Sequence, residues 1–313
     1  MKKEYVTKTL DSHKWDDYVP KDGDIVVATY YKCGSTWMQQ IVYSLLYHGE
    51  PPTDRPVTEM APQPEMKLLP FSWDTLPDIN GRRMVKTGLP ADVVPFYSNV
   101  KYIYVGRDGR DAFMSLDNHW SSRNEKYYKS PHALPRYTDP PVSGDTGRFF
   151  DEWISKGNPC LPWETDGWPF WSLFRSIESW WHMRDKRNVL MVHFKNLKQD
   201  LEGQMKRIAS FLEIDIDETA LKQAADKCTF AHMKENALSV LGEQFSQSWG
   251  EGGQAGAQTF IFKGTDGRWK NVLTDQQMAK YAAKVAALPA SCAHWLQTGE
   301  MVPMDDTHGA FIH

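Results

Sequence analysis

Residues 24–47 read DIVVATYYKCGSTWMQQIVYSLLY, and they decide the fold. Ile25-Val26-Val27-Ala28 is short, apolar and rich in β-branched side chains, the pattern of a parallel strand buried on both faces. Trp37, Met38, Ile41, Val42, Leu45 and Leu46 then recur at helical spacing. Between strand and helix lies a small-residue turn, Tyr30 to Ser35. A strand feeding a helix through such a turn has the geometry of an anion cradle, because the first N–H groups of the helix are unpaired and the dipole there is positive; the plainer alternative is a common βα turn that binds nothing. Gly34 lets the backbone approach a ligand. Lys32 adds a charge, and Ser35 and Thr36 add hydroxyl donors. The Walker A order GxxxxGK[ST] is absent, because the lysine precedes the glycine, and without the Lys-Ser/Thr pair there is no obvious hydroxyl ligand for Mg²⁺. That argues against an ordinary P-loop NTPase.

Working outward, residues 1–23 are a polar lead-in and Gly49 to Pro77 is Pro-rich and acidic. Arg83 to Thr87, Lys101 to Val105 and Val189 to His193 read as further strands. Helices are expected at Ala112 to Trp120, Pro169 to Arg187, Leu197 to Leu212, Glu218 to Cys228 and Thr274 to Leu288, the last capped by Thr274. Leu241 to Arg268 reads as a Gly- and Gln-rich loop. Residues 121–168 have weak periodicity and many Pro, Gly and aromatic residues, so they read as a lid or acceptor-site insertion. Strands alternating with helices imply an α/β fold. One domain spans 1–313, with a central parallel sheet flanked by helices and a P-loop-like turn.

Composition sets the outer bounds. The chain has 313 residues, 41% of them hydrophobic, enough for a sizeable core. Its 13 Trp suggest an aromatic-lined cleft as well as core packing. A net charge of −4 argues against a nucleic-acid partner. Cys33, Cys160, Cys228 and Cys292 are scattered without CxxC spacing and read as reduced thiols of a cytoplasmic protein. The N-terminus lacks an apolar signal-like core, and no run approaches a membrane span.

A second constellation is YIYVGRDGRDAFMS, residues 102–115. It puts Arg107 just past a strand end and Ser115 two turns into the next helix, where ligands of open α/β sheets bind. An Arg and a Ser there can hold a phosphate, Arg through a forked contact. The plainer alternative is a solvated Arg107 paired with Asp111.

With these pieces in order, the chain resembles the cytosolic-type sulfotransferases, from about Asp22 to Leu288. YYKCGSTW is similar to their Y-P-K-[SC]-G-[ST]-T-W loop, with Tyr31 where proline is usual. The resemblance implies a P-loop-like phosphosulfate turn, Lys32 to Trp37 including Cys33, that holds the donor 3′-phosphoadenylyl sulfate (PAPS) and its product PAP. Arg107 and Ser115 fall on the pair that holds the 3′-phosphate. FKGTDGRWK, from Phe262, is similar to R-K-G-x-x-G-x-W-K, so Lys263 and Gly264 match a further 3′-phosphate grip and Phe262 replaces a cation. CTFAHM carries Thr229 and Phe230 into the adenine-binding motif, where Phe230 and Trp37 would sandwich the base. Phe194 stands where a tyrosine often reaches adenine.

The resemblance implies transfer of a sulfuryl group to a hydroxylated or phenolic small molecule. Lys32 and Lys86 would offset charge on the oxygen that leaves, without a metal. It fails at one place. The usual base is a histidine in K-T-H-x-P, and this chain reads Lys86-Thr87-Gly88-Leu89-Pro90. His119 follows Ser115 by one helical turn and is the substitute, ahead of His48 and His182, with Asp117 on another face. Alternatives are a weak or silent PAP-binding variant and a P-loop small-molecule kinase. The short dimerisation motif of these enzymes is not evident after Lys270, so the oligomeric state stays open.

Overall fold

The structure, a computed structural model, describes residues 3–67, 71–130 and 144–302. Four parallel strands, β1 (Ile25–Thr29), β2 (Met84–Thr87), β3 (Lys101–Gly106) and β4 (Val189–His193), lie in the order β2-β1-β3-β4. Val26 faces Val85 and Tyr102, and Gly106 faces His193, so all four carboxyl ends meet on one edge. Because successive side chains alternate, each strand feeds two cores. Val26, Ala28, Tyr102 and Tyr104 point into one; Ile25, Val27, Ile103 and Val105 point into the other. This is why the strands read as unbroken apolar runs. The helix α1 (Ser35–Leu46) seals the second core with Met38, Ile41, Val42 and Leu45, all fully buried. Each such side chain contributes about 1.5–3 kcal/mol relative to exposure.

Thr274 caps the helix Asp275–Ala286 through a full capping box with Gln277, as its sequence predicts. Elsewhere the boundaries move for local reasons. The expected helix Pro169 to Arg187 is Leu173–Trp181, because the Ser172 side chain accepts from the Arg175 N–H and starts it later. The expected helix Leu197 to Leu212 is two, Phe194–Gln199 and Leu201–Leu212. Asp200 leaves the helical conformation to end one and caps the next by accepting from the Gly203 N–H. Leu241 to Arg268 holds helices Glu243–Ser246 and Gly253–Phe260 rather than a loop. The helix Ala290–Thr298 lies beyond the last element expected.

Part of the 121–168 segment, expected as a lid or acceptor-site insertion, belongs to the core. Its helix Thr146–Ser155 packs Phe149, Phe150 and Trp153 around Phe113, in the core. Residues 131–143 of the segment lie outside the described residues. The tryptophans divide in the same way: Trp15, Trp153, Trp171, Trp180, Trp181 and Trp295 are fully buried core residues. Only Trp37 and Trp249 line the cavity described next.

Candidate active site

At the carboxyl edge of the sheet opens a cavity of about 660 Å³. The β1–α1 turn forms its floor. Gly34 takes φ 112°, open to glycine and strained for other residues, and a Cβ there would come within 2.9 Å of the Phe194 ring. No side chain caps α1, so the N–H groups of its first turn face the cavity with Ser35, Thr36 and Trp37. Lys32 is itself held at φ 66°, which aims its side chain inward rather than along the strand.

Three cations meet there. Lys86 at the end of β2 and Arg107 after β3 flank Lys32, and all three line the cavity. Burial first, then the charges of Arg107 and Lys86, lower the Lys32 ammonium to about 7. Burial also lowers Lys86, against the pull of Glu65. The Lys32 Nζ lies 4.2 Å from the centre of the Phe260 ring and 3.4 Å from His119 Nδ1. Burial, followed by the charges of Lys32, Arg123 and Lys86, holds His119 well below the usual imidazole range, so the ring is neutral. It packs on Trp249 at 4.3 Å between centroids.

Of the residues singled out from the sequence, Lys32, Gly34, Ser35, Thr36, Trp37, Lys86, Arg107, Ser115, His119, Phe194, Phe230, Phe262, Lys263 and Gly264 all line this cavity. Two do not. The Cys33 side chain is fully buried under the turn, its thiol pushed up to about 12 by burial, and it contributes backbone geometry only. Thr229 is the N-cap of Phe230–Glu235, its hydroxyl accepting from the His232 N–H. Of the weaker base candidates, His48 and His182 are exposed and do not line the cavity, and Asp117 accepts from Thr146. Arg107 does not pair with Asp111. Its Nη2 donates to Asp266 at 2.9 Å, its Nη1 donates to the Lys32 carbonyl at 3.2 Å, and its guanidinium lies 4.1 Å over the Phe194 ring. Asp111 accepts from the Gly267 N–H instead, at 2.7 Å.

Gly88, where the histidine is missing, is buried and lies outside the lining. A Cβ on it would meet Trp171 at 3.3 Å and the Tyr31 ring at 3.4 Å. Tyr31 is the other departure from the pattern, and its ring stacks on Phe170 at 3.7 Å. The two departures are therefore neighbours, with an aromatic ring packed where a side chain on residue 88 would begin. Sequence reasoning missed this pairing, as it missed Phe260, Trp249 and Asp266: Phe260 and Trp249 lie outside the motifs, Asp266 sits at an unspecified position of one, and Tyr31 and Gly88 belong to motifs far apart in the chain.

A parallel sheet whose switch point between β1 and β3 carries an uncapped helix start and three cations defines an α/β protein that binds an anionic nucleotide or phosphate ester. The family model for the sulfotransferase domain matches residues 22–288, and the chain belongs to that family. It is 29% identical over 292 residues to sulfotransferase 2A1 of Macaca fascicularis, covering 90% of each chain. It is 32% identical over 265 residues to human sulfotransferase 2B1, covering 82% of this chain and 63% of that protein. Among solved structures, mouse SULT7A1 complexed with PAP superposes with a TM-score of 0.59 at 19% identity, covering 90% of each chain. A retinol dehydratase in complex with retinol and PAP gives 0.61 at 18% identity, covering 88% of this chain and 84% of that one. At those identities the structures show a shared fold. Among the described residues there is no group of three or more His, Cys, Asp or Glu able to hold a metal, and no helix long and apolar enough to cross a membrane.

Proposed function

We propose that this chain is a cytoplasmic sulfotransferase that moves the sulfuryl group of PAPS to the hydroxyl of a small phenol or alcohol. The observation that carries the reading is the 3.4 Å contact of Lys32 Nζ with His119 Nδ1 at the mouth of an uncapped helix. It joins a cation for the leaving oxygen to a neutral base in one cavity. The residues fit PAPS: first-turn N–H groups of α1 with Ser35 and Thr36 for the 5′ end, Trp37 and the 41% exposed Phe230 for the base, and Arg107, Ser115, Lys263 and Gly264 for the 3′-phosphate. PAPS supplies the activated sulfuryl group; the chain supplies position, charge and a proton acceptor.

Facing an ammonium, His119 Nδ1 is the acceptor and Nε2 carries the ring proton. When the donor's sulfate end draws the Lys32 ammonium toward itself, the Nδ1 lone pair is released. It can then take the proton of an acceptor hydroxyl. Lys86 adds positive charge on the same side, and the neighbouring rings of Phe260, Trp249, Tyr31 and Phe170 exclude water. In this reading Gly88 costs the chain its usual base and His119 replaces it.

The test has two arms. PAP should raise the melting temperature in a concentration-dependent way, and ATP with Mg²⁺ should not. Labelled PAPS should then transfer label to members of a panel of phenols and alcohols. Stabilisation by PAP with transfer to none of them would leave a silent nucleotide-binding protein.

A further inference from the structure

At the end of the cavity assigned to the 3′-phosphate, two of the lining cations already hold an anion that belongs to the protein, the Asp266 carboxylate beside the lining. Asp266 accepts from Arg107 Nη2 at 2.9 Å through Oδ1 and from Lys198 Nζ at 2.7 Å through Oδ2. One carboxylate thus bridges two cations that both line the cavity. Arg107 does not depend on Asp266 for its orientation, since the Lys32 carbonyl and the Phe194 ring already fix its plane. The turn that carries Asp266 is also pinned without it. Gly267 N–H donates to Asp111, and Gly264 packs so tightly on Phe230 that a Cβ would come within 2.7 Å. The Asp266 side chain is 32% exposed, so a rotamer change can carry it into solvent while the backbone stays.

Building on the PAPS reading, we infer that Asp266 is a placeholder for the nucleotide's 3′-phosphate: it neutralises Arg107 and Lys198 in the empty site and is displaced when a 3′-phosphorylated nucleotide takes both cations. Lys198 thereby becomes a 3′-phosphate contact alongside Arg107. A phosphate with charge near −2 and three acceptor oxygens outcompetes a single carboxylate for the pair. A nucleotide lacking that phosphate leaves Asp266 where it is. The carboxylate therefore makes the site selective, because binding at this end requires a group anionic enough to evict it.

The sign of one substitution decides the matter. In calorimetry, Asp266→Asn should bind PAP about tenfold more tightly than the wild type, because a competing like charge is gone. Its affinity for 5′-AMP should be unchanged. Lys198→Met should bind PAP about tenfold less tightly, again with 5′-AMP unchanged. Asp266→Ser carries the same expectation as the asparagine variant and serves if that variant folds poorly. Weaker or unchanged PAP binding by the Asp266 variants, or equal shifts for PAP and 5′-AMP, would overturn the placeholder role. A wild-type protein that binds no PAP would overturn the underlying nucleotide reading instead.

Discussion

The donor end and the acceptor end of the cavity obey the family pattern to different degrees. At the donor end, the turn Lys32 to Trp37, Arg107, Ser115, Lys263 and Gly264 stand where the pattern puts them, Phe194 and Phe262 are the departures, and all of these but Cys33 line the cavity. At the end proposed for the acceptor, Tyr31 replaces a proline, Gly88 replaces a histidine, and a Cβ on residue 88 would lie 3.4 Å from the Tyr31 ring. The difference follows from what each end must recognise. A nucleotide bisphosphate fixes charges at fixed separations, so backbone N–H groups and forked cations are constrained together. An acceptor hydroxyl fixes one proton and leaves the surrounding apolar wall free to change.

The largest test of this contrast removes the chemistry while sparing the donor site. His119→Ala should lower turnover with an alcohol by about 10²–10⁴-fold, the usual worth of a general base. PAP affinity should stay near wild type, and an acidic phenol should be affected less because it ionises near neutral pH. Steady-state rates with both acceptors, set beside calorimetry, check this; an alcohol rate indifferent to the substitution refutes the relocated base. Lys32→Ala should likewise lose more turnover than PAP affinity, since its charge acts most on the leaving oxygen.

Arg107→Ala tests the donor end. It should weaken PAP by about 1.5–3 kcal/mol, the range for hydrogen bonds to a charged group. Unchanged affinity in calorimetry would remove Arg107 from the site.

Much of this was legible before any coordinates. The β-branched runs at Ile25 and Lys101 and the ridge from Trp37 to Leu46 carry their own period, so strand, turn and helix could be placed. Gly253–Phe260, reading GQAGAQTF, is a poor intrinsic helix with two glycines, and its helicity comes from tertiary packing. The Arg107–Asp266 pair spans 159 residues, and no local pattern announces such a contact. The same holds for Tyr31 and Gly88. Each reads as a lone departure, and only packing shows that they are neighbours.

Those two residues give the third test. Restoring the histidine alone, Gly88→His, adds a side chain where Trp171 and Tyr31 already crowd the Cβ position. Overpacking of this kind costs about 1–3 kcal/mol, so a lower melting temperature and no gain in turnover are expected. Pairing it with Tyr31→Pro should recover stability beyond the sum of the single changes, because the residues share one space. Strict additivity in thermal unfolding would show that Tyr31 does not fill the place of the histidine.

The smallest effect is one of pH, and it sharpens the donor side. Lys32 is lowered to about 7 by burial and by the charges of Arg107 and Lys86. A bound anion favours its charged form, so PAP binding must raise that value and take up protons. The sign follows: affinity should be roughly constant below pH 7, where Lys32 is already charged, and should fall as pH rises through about 7. The decline should be at most about tenfold per pH unit for a single group. Calorimetry between pH 6 and 9 reads it, and Lys32→Met should flatten it. The empty protein should show the opposite trend in stability. Its Lys32 binds a proton less readily than in the unfolded chain, which favours folding increasingly as pH climbs from about 7 towards the ordinary lysine range. Affinity that stays flat with pH over that interval would mean that Lys32 is already charged before the nucleotide binds. The contact with His119 would then be an ordinary ammonium–imidazole hydrogen bond at every working pH.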